Sequence, residues 1–300
     1  MLLIMLSACQ IDGTETDGGV EKTEVEVTFT VTSGANLSEA GDRWDGGSRQ
    51  EVTKTFHTNP TRVAIFSYDA LDMLDDAGLD QTSIRMLGLP KSNLPEGLKH
   101  YGDQNYYNLG TLFIPDWDSL DLFYPELIIL GSRSSGAYDR LSSQFPEADI
   151  IDFTMEYGAY IEGFERNIEN LGLIFPSIKE KLYDAYQSIV DGMYRIHDVA
   201  QSMQALLIMV NGESLSFYGP NGRFAVLHDE FGFMSADQQA EEGGSHGNVV
   251  GYEYVSKVNP QVLFLLDRGV ATGGSSTITQ VKNNALIRQT MAGMNGDIYE

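Results

Sequence analysis

Two arginines, Arg133 and Arg268, and two acids, Asp118 and Glu253, recur 135 residues apart in matching register, and this spacing marks them for chemistry. Residues 118–133 read D-S-L-D-L-F-Y-P-E-L-I-I-L-G-S-R, and residues 253–268 read E-Y-V-S-K-V-N-P-Q-V-L-F-L-L-D-R. In each copy a proline (Pro125, Pro260) follows the acid by seven residues, and the arginine stands eight residues past the proline. A guanidinium is permanently charged and presents five donors in a planar fork, so the chemistry it offers is recognition of a delocalised anion. The alternative at each position is a solvated loop arginine, which would require four features to coincide in register by accident.

The elements that must position these groups follow from the pattern. A short amphipathic segment, a proline that stops it and an apolar run rich in branched side chains predict helix, tight turn and buried parallel strand. Each copy is then one α/β unit, with its arginine beyond the carboxyl end of the strand, where open α/β sheets bind ligands. Two similar lobes with those strand ends facing each other would bring both guanidinium groups into one cleft.

Bulk properties bound the reading. The 300 residues suffice for two medium domains, and 42% hydrophobic with 21% charged residues is ordinary for a globular chain. The net charge of -24 is not, and it excludes nucleic acid or an anionic membrane surface as the natural partner. An anionic ligand would have to be met by locally concentrated arginine. The single cysteine, Cys9, allows no internal disulfide. No stretch reaches the ~18 apolar residues of a membrane-spanning helix.

Along the chain, residues 1–8 read as the remnant of a signal peptide and 9–22 as a flexible tether. Alternation predicts a strand over 23–33, a Gly/Ser/Asp-rich loop over 34–50 and a short strand over 51–56. A buried strand over 61–67 leads into a helix capped by Asp69 and ended by Gly78, with a second strand at 84–87. Residues 88–99 read as a proline-broken loop. Apolar residues at helical spacing, Ile161, Phe164, Ile168 and Leu171, predict a helix over 160–174. The first lobe spans 23–175, and a long helix over 176–203 joins it to the second, 204–300, which opens on a strand at 205–210. The last residues, N-G-D-I-Y-E, read as the start of a strand, so the second lobe is expected to be incomplete.

Several motifs in order carry a family likeness: N-P-T-R-V-A-I-F (59–66), L-G-L-P-K-S-N-L-P (87–95), Y-G-P-N-G-R-F (218–224), H-D-E-F-G-F (228–233), S-H-G-N (245–248) and L-D-R (266–268). Together they resemble the substrate-binding lipoproteins of bacterial ABC importers for ferric siderophores, over about residues 55–300. The resemblance implies two Rossmann-like α/β lobes joined by one long helix, with the ligand cleft between them. It implies that Arg133, Arg223 and Arg268 neutralise an anionic chelate of Fe(III), chiefly of the catecholate type, with Tyr218 beside them. His246, in the glycine-flanked S-H-G segment, would complete the iron coordination. Charge-assisted contacts and stacking of arginine on catechol rings suit a ligand carrying about three negative charges. Asp118 and Glu253 would dock onto arginines of the permease, which works with its ATPase, although an acid in the first turn of a helix is favourable for local reasons too.

The run L-S-A-C (6–9) is similar to a lipobox, which implies lipidation of Cys9 and an extracytoplasmic, membrane-anchored monomer. It departs from the usual signal in lacking a preceding Lys or Arg. His228 reads as structural. The competing classes are a binding lipoprotein for haem or a corrinoid and, less favoured, a cell-surface hydrolase. The chain has no nucleophile elbow, phosphate-binding lysine loop, dinucleotide fingerprint or H-E-x-x-H pair, so a non-enzymatic binder without an intrinsic cofactor is expected.

Overall fold

The strand-forming apolar runs at 62–65, 127–130 and 149–152 assemble first into a parallel sheet. In the computed structural model, which describes residues 15–17, 20–156, 158–220, 222–238, 247–271 and 275–300, the chain divides into two compact units. One comprises residues up to Pro90 with Asn105–Phe153 and Glu169–Leu182, and the other Lys91–Gln104, Thr154–Ile168 and Tyr183–Glu300. The boundaries drawn from sequence at 175/176 and 203/204 do not coincide with this division. Cys9 and His246 lie outside the described residues.

The first unit begins with a short hairpin, β1 (Glu15–Asp17) with β2 (Val20–Lys22), inside the segment expected to be a tether. A longer hairpin follows, β3 (Glu24–Leu37) with β4 (Trp44–His57). The loop expected over 34–50 is therefore mostly strand. Its glycines do not end the ladder, because Gly34 and Gly47 face each other, both at positive φ, and pairing resumes at Ala35 and Gly46. On its buried face Phe29 meets Phe56 edge-on at 5.6 Å.

Next come β5 (Arg62–Ile65), α1 (Tyr68–Ala77), β6 (Met86–Leu89), β7 (Tyr107–Asn108), α2 (Trp117–Phe123), β8 (Leu127–Leu130), α3 (Tyr138–Gln144) and β9 (Asp149–Asp152). The strands form one sheet in the order β7-β6-β5-β8-β9, with every pair parallel. β8 is buried at all four residues, as expected where helices cover both faces. The helix α1 starts two residues earlier than the expected cap allows. Ser67, not Asp69, accepts the Ala70 N–H at 3.2 Å, because only Ser67 has the extended backbone a cap requires. Its buried residues Ala70, Leu71, Leu74 and Ala77 keep helical spacing, and Gly78 ends it in the left-handed region.

The helix α4 (Tyr160–Ile174) matches the predicted range. A 3-10 turn at Pro176–Ile178 precedes α5 (Lys179–Ala200), whose 22 residues span about 33 Å. No helix among the described residues is long and apolar enough to cross a membrane.

The second unit holds β10 (Gln204–Asn211), β11 (Ser214–Tyr218), α6 (Val226–Asp229), β12 (Met234–Ser235), β13 (Asn248–Val250), α7 (Tyr252–Val258), β14 (Val262–Asp267), α8 (Arg268–Ala271), α9 (Ile278–Asn283), α10 (Ala285–Arg288), α11 (Met291–Asn295) and β15 (Ile298–Tyr299). The sheet order is β13-β11-β10-β14-β15, with β12 also on β10. β10, β14, β15 and β12 run parallel, whereas β11 and β13 are antiparallel to their neighbours. The mixed half arises at Asn211-Gly212, where Gly212 at φ +60 begins a two-residue hairpin turn. Glycine is the residue for that conformation at the first turn position. The core gathers Leu206, Ile208, Val210, Phe217, Leu263 and Leu265 from the strands with Val255, Val281 and Ile287 from the helices.

Candidate functional site

The two copies of the repeat fold alike. α2 and α7 each run seven residues, each ends in a left-handed residue (Tyr124 at φ 52, Asn259 at φ 53), and a proline and a parallel strand follow in the same register. The left-handed residue stops the helix, one position before the proline to which the stop had been credited.

Arg133 lies in the turn after β8 and is exposed. The turn is fixed by Ser134, fully buried, whose Oγ accepts the Gly131 N–H at 3.0 Å and whose own N–H donates to the Gly131 carbonyl at 2.9 Å. The Arg133 guanidinium carbon sits 4.8 Å from the centre of the Phe113 ring, a cation–π distance. The Phe113 backbone is itself held, since its carbonyl accepts the Trp44 indole N–H at 2.9 Å. The tip of the first long hairpin thus supports the arginine's aromatic partner. Nothing in the local sequence of 111–115 signals this, because the support comes from residue 44.

Arg268 is the first residue of α8, at the carboxyl end of β14, and is exposed. Asp267 Oδ1 accepts the Val270 N–H at 3.1 Å, which stabilises the helical turn that carries the arginine. Arg223, also exposed, lies on the segment after β11, with its guanidinium carbon 5.3 Å from the Phe224 ring centre. β11 and β14 flank β10 on opposite sides, with Tyr218 opposite Leu207 and Asp267 opposite Val210. These two strand ends are thus about 10 Å apart along the sheet and about 10 Å across it.

Tyr218 is not a surface group. It is 5% exposed, its hydroxyl meets Met209 Sδ at 3.7 Å, and its ring packs edge-on against Phe224 at 4.9 Å. Its side chain sits inside the second unit, beside the segment that carries Arg223. Tyr218 shares its strand face with Ser214 and Ser216, which are more open. His228 Nδ1–H donates to the Phe233 carbonyl at 2.8 Å, in keeping with a structural part.

Asp118 and Glu253 occupy the second position of α2 and α7, and both are exposed. Asp116 caps α2 by accepting the Ser119 N–H at 3.1 Å, whereas Gly251 at the start of α7 has no side chain to do so.

With this geometry in place, comparison with known proteins is informative. The profile of the family described as "Periplasmic binding protein" matches residues 85–300. The chain is 33% identical to the petrobactin-binding protein YclQ of Bacillus subtilis over 297 residues, 98% of this chain and 86% of that one. The YclQ crystal structure superposes with a TM-score of 0.74, covering 83% of this chain and 85% of that chain. The ferric-anguibactin-binding protein FatB of Vibrio anguillarum is 27% identical over 80% of this chain and 74% of its own. The catecholate-siderophore binding protein VctP of Vibrio cholerae has a TM-score of 0.73 at 31% identity, covering 82% of this chain and 87% of that chain.

Proposed function

The chain belongs to the periplasmic binding protein family, and we propose that it captures an anionic ferric siderophore, catecholate in type, and delivers it to the permease of an ABC importer for iron uptake. The observation that carries this reading is the 33% identity to a petrobactin-binding protein along 98% of the chain. The exposed, register-matched Arg133 and Arg268 support it, because a chain of net charge -24 needs concentrated guanidinium groups to hold an anion.

In this reading Arg133, Arg223 and Arg268 meet the chelate oxygens, and the aromatic rings under Arg133 and Arg223 hold those two guanidinium groups in a ready orientation. Iron enters as cargo within the chelate, and His246 completes its coordination. Asp118 and Glu253, matched in register and both exposed, dock onto basic groups of the permease. Lipidation at Cys9 keeps the protein on the outer side of the membrane, where it acts as a monomer.

Tryptophan and tyrosine fluorescence quenching tests the reading. Titration with a ferric tris-catecholate should give tight saturable quenching, weaker quenching by a ferric hydroxamate, and a loss of at least about tenfold in affinity in Arg268→Ala, since a hydrogen bond to a charged group contributes about 1.5–3 kcal/mol. Equal affinity in Arg268→Ala, or preference for the hydroxamate, would overturn it.

A further inference from the structure

Tyr218 ends β11 in a continuous stack that leads to an exposed arginine. Its ring packs at 4.9 Å against Phe224, over which the Arg223 guanidinium lies at 5.3 Å. Gly247, at φ +67, also stands against it, so close that a Cβ there would come within 2.6 Å of the Phe217 carbonyl oxygen and 2.9 Å of the Tyr218 ring. Only glycine fits this approach. Among the described residues the Tyr218 hydroxyl meets the Met209 thioether, a weak acceptor, so the ring carries the stronger contacts.

We propose that Tyr218 is a positioning residue for Arg223: it touches no ligand, and it sets the height and tilt of the Phe224 ring on which the guanidinium rests, with Gly247 packed against the tyrosine ring. The inference rests on the function proposed above for Arg223 and goes beyond it by assigning the neighbouring aromatic pair and glycine a shared part in anion capture. An arginine preset by a rigid ring loses less side-chain freedom on binding than one free in solution. The stack thereby converts burial inside the unit into affinity at its surface.

Two measurements test this. The first needs no ligand: limited trypsin digestion, following cleavage after Arg223. Tyr218→Leu should accelerate that cleavage about tenfold, because the loop loses its support, while Tyr218→Phe should leave it unchanged. The second is a double-mutant cycle with a ferric tris-catecholate as probe. Tyr218→Leu should weaken binding about tenfold, and the double variant with Arg223→Ala should be within about twofold of Arg223→Ala alone, since the tyrosine acts only through the arginine. Gly247→Ala displaces the Tyr218 ring by contact and should show the same non-additivity, which covers the case in which Tyr218→Leu folds poorly. Unchanged cleavage after Arg223 in folded Tyr218→Leu, or losses that multiply in the double variant, would overturn the proposal. Faster cleavage in a protein whose wild type binds no ferric chelate would leave the stack standing and sink the siderophore reading instead.

Discussion

In the first copy of the repeat the residue after the proline is Glu126, and in the second it is Gln261. Each side chain reaches the start of the neighbouring inner strand. Glu126 accepts the Thr61 N–H at 2.7 Å just before β5, and Gln261 Oε1 accepts the Gln204 N–H at 2.7 Å at the start of β10. The surroundings then diverge. Glu126 also takes the Thr61 hydroxyl at 3.1 Å, Lys22 Nζ at 2.9 Å and Arg62 at 2.9 Å, whereas no ion pair is recorded at Gln261 among the described residues. The backbone need is common to both units, an N–H at a strand start that must not be left unpaired. The charge is an addition peculiar to the first copy, where β2 and β5 supply cations. A repeated fold therefore fixes where an acceptor must stand and leaves its charge to the neighbours.

The largest effect that would break this comparison is removal of the acceptor. Glu126→Ala should cost about 3 kcal/mol, because it strands the buried Thr61 N–H and two cations that lie partly out of water. Gln261→Ala should cost only about 1–2 kcal/mol for one lost bond to a backbone donor. Urea unfolding of both variants measures the pair, and equal losses would show that the charge contributes nothing.

Acid sensitivity sharpens the same contrast. Burial pushes the Glu126 carboxyl up, but the Thr61 N–H, Lys22 and Arg62 together outweigh it and hold it below the usual carboxylate range. A depressed folded-state value means that the stabilisation is present above the unfolded value and disappears as pH falls through the folded one. Glu126→Gln should therefore be less stable than wild type at neutral pH and approach it in acid below the ordinary carboxylate range, whereas Gln261→Glu has no comparable cations to gain from. Asp149 works in the opposite sense: burial raises its carboxyl despite the His57 N–H and ring. Comparing Glu126→Gln with wild type at each pH cancels that contribution. A stability difference that stays constant from neutral pH into acid would refute the assignment.

The left-handed residues give the smallest effects. Asn259 suits its conformation and accepts the Met291 N–H at 2.8 Å through its side chain, so Asn259→Ala should lose about 1–2 kcal/mol. Tyr124 is poorly suited to the same backbone and is held there with Arg62 donating to its carbonyl at 2.8 Å and lying 5.6 Å from its ring. Tyr124→Asn should change stability by under about 0.5 kcal/mol, easier backbone offsetting the lost ring contact. Thermal unfolding of the two variants side by side decides between this and a uniform penalty.

Much of the architecture was legible in the chain because apolar runs and caps are local signals. The repeat, the strands at 62–65 and 127–130 and the helix at 160–174 all follow from period and punctuation. The first half of the hairpin's second arm, 44–50, was not, since every residue there is exposed or half-exposed and no alternation survives; only its end, 51–56, read as strand. The antiparallel half of the second sheet was announced by Gly212 at the first position of the two-residue turn Gly212-Glu213, a hairpin signal that the expectation of a repeated α/β order had passed over. At the candidate site, Arg133 and Arg268 were found because an apolar run ends just before each. Phe113 was not, since its partners Arg133 and Trp44 are 20 and 69 residues away.

The long hairpin that supports Phe113 is tied down late. Its Arg49 meets Asp152 at 2.6 Å, its Gly34 N–H meets Asp139 at 2.7 Å, and its Thr28 carbonyl meets Asn170 at 3.0 Å, across 103, 105 and 142 residues of chain. During synthesis at ~5–20 residues per second, the hairpin waits on the order of 5–30 s for those partners. Throughout that interval Phe29 and Phe56 lack their final cover, and the ribbon presents open edges to other nascent chains. Glu24, Glu26 and Glu51, all exposed along its outer face, are well placed to keep the waiting ribbon from pairing with the wrong neighbour.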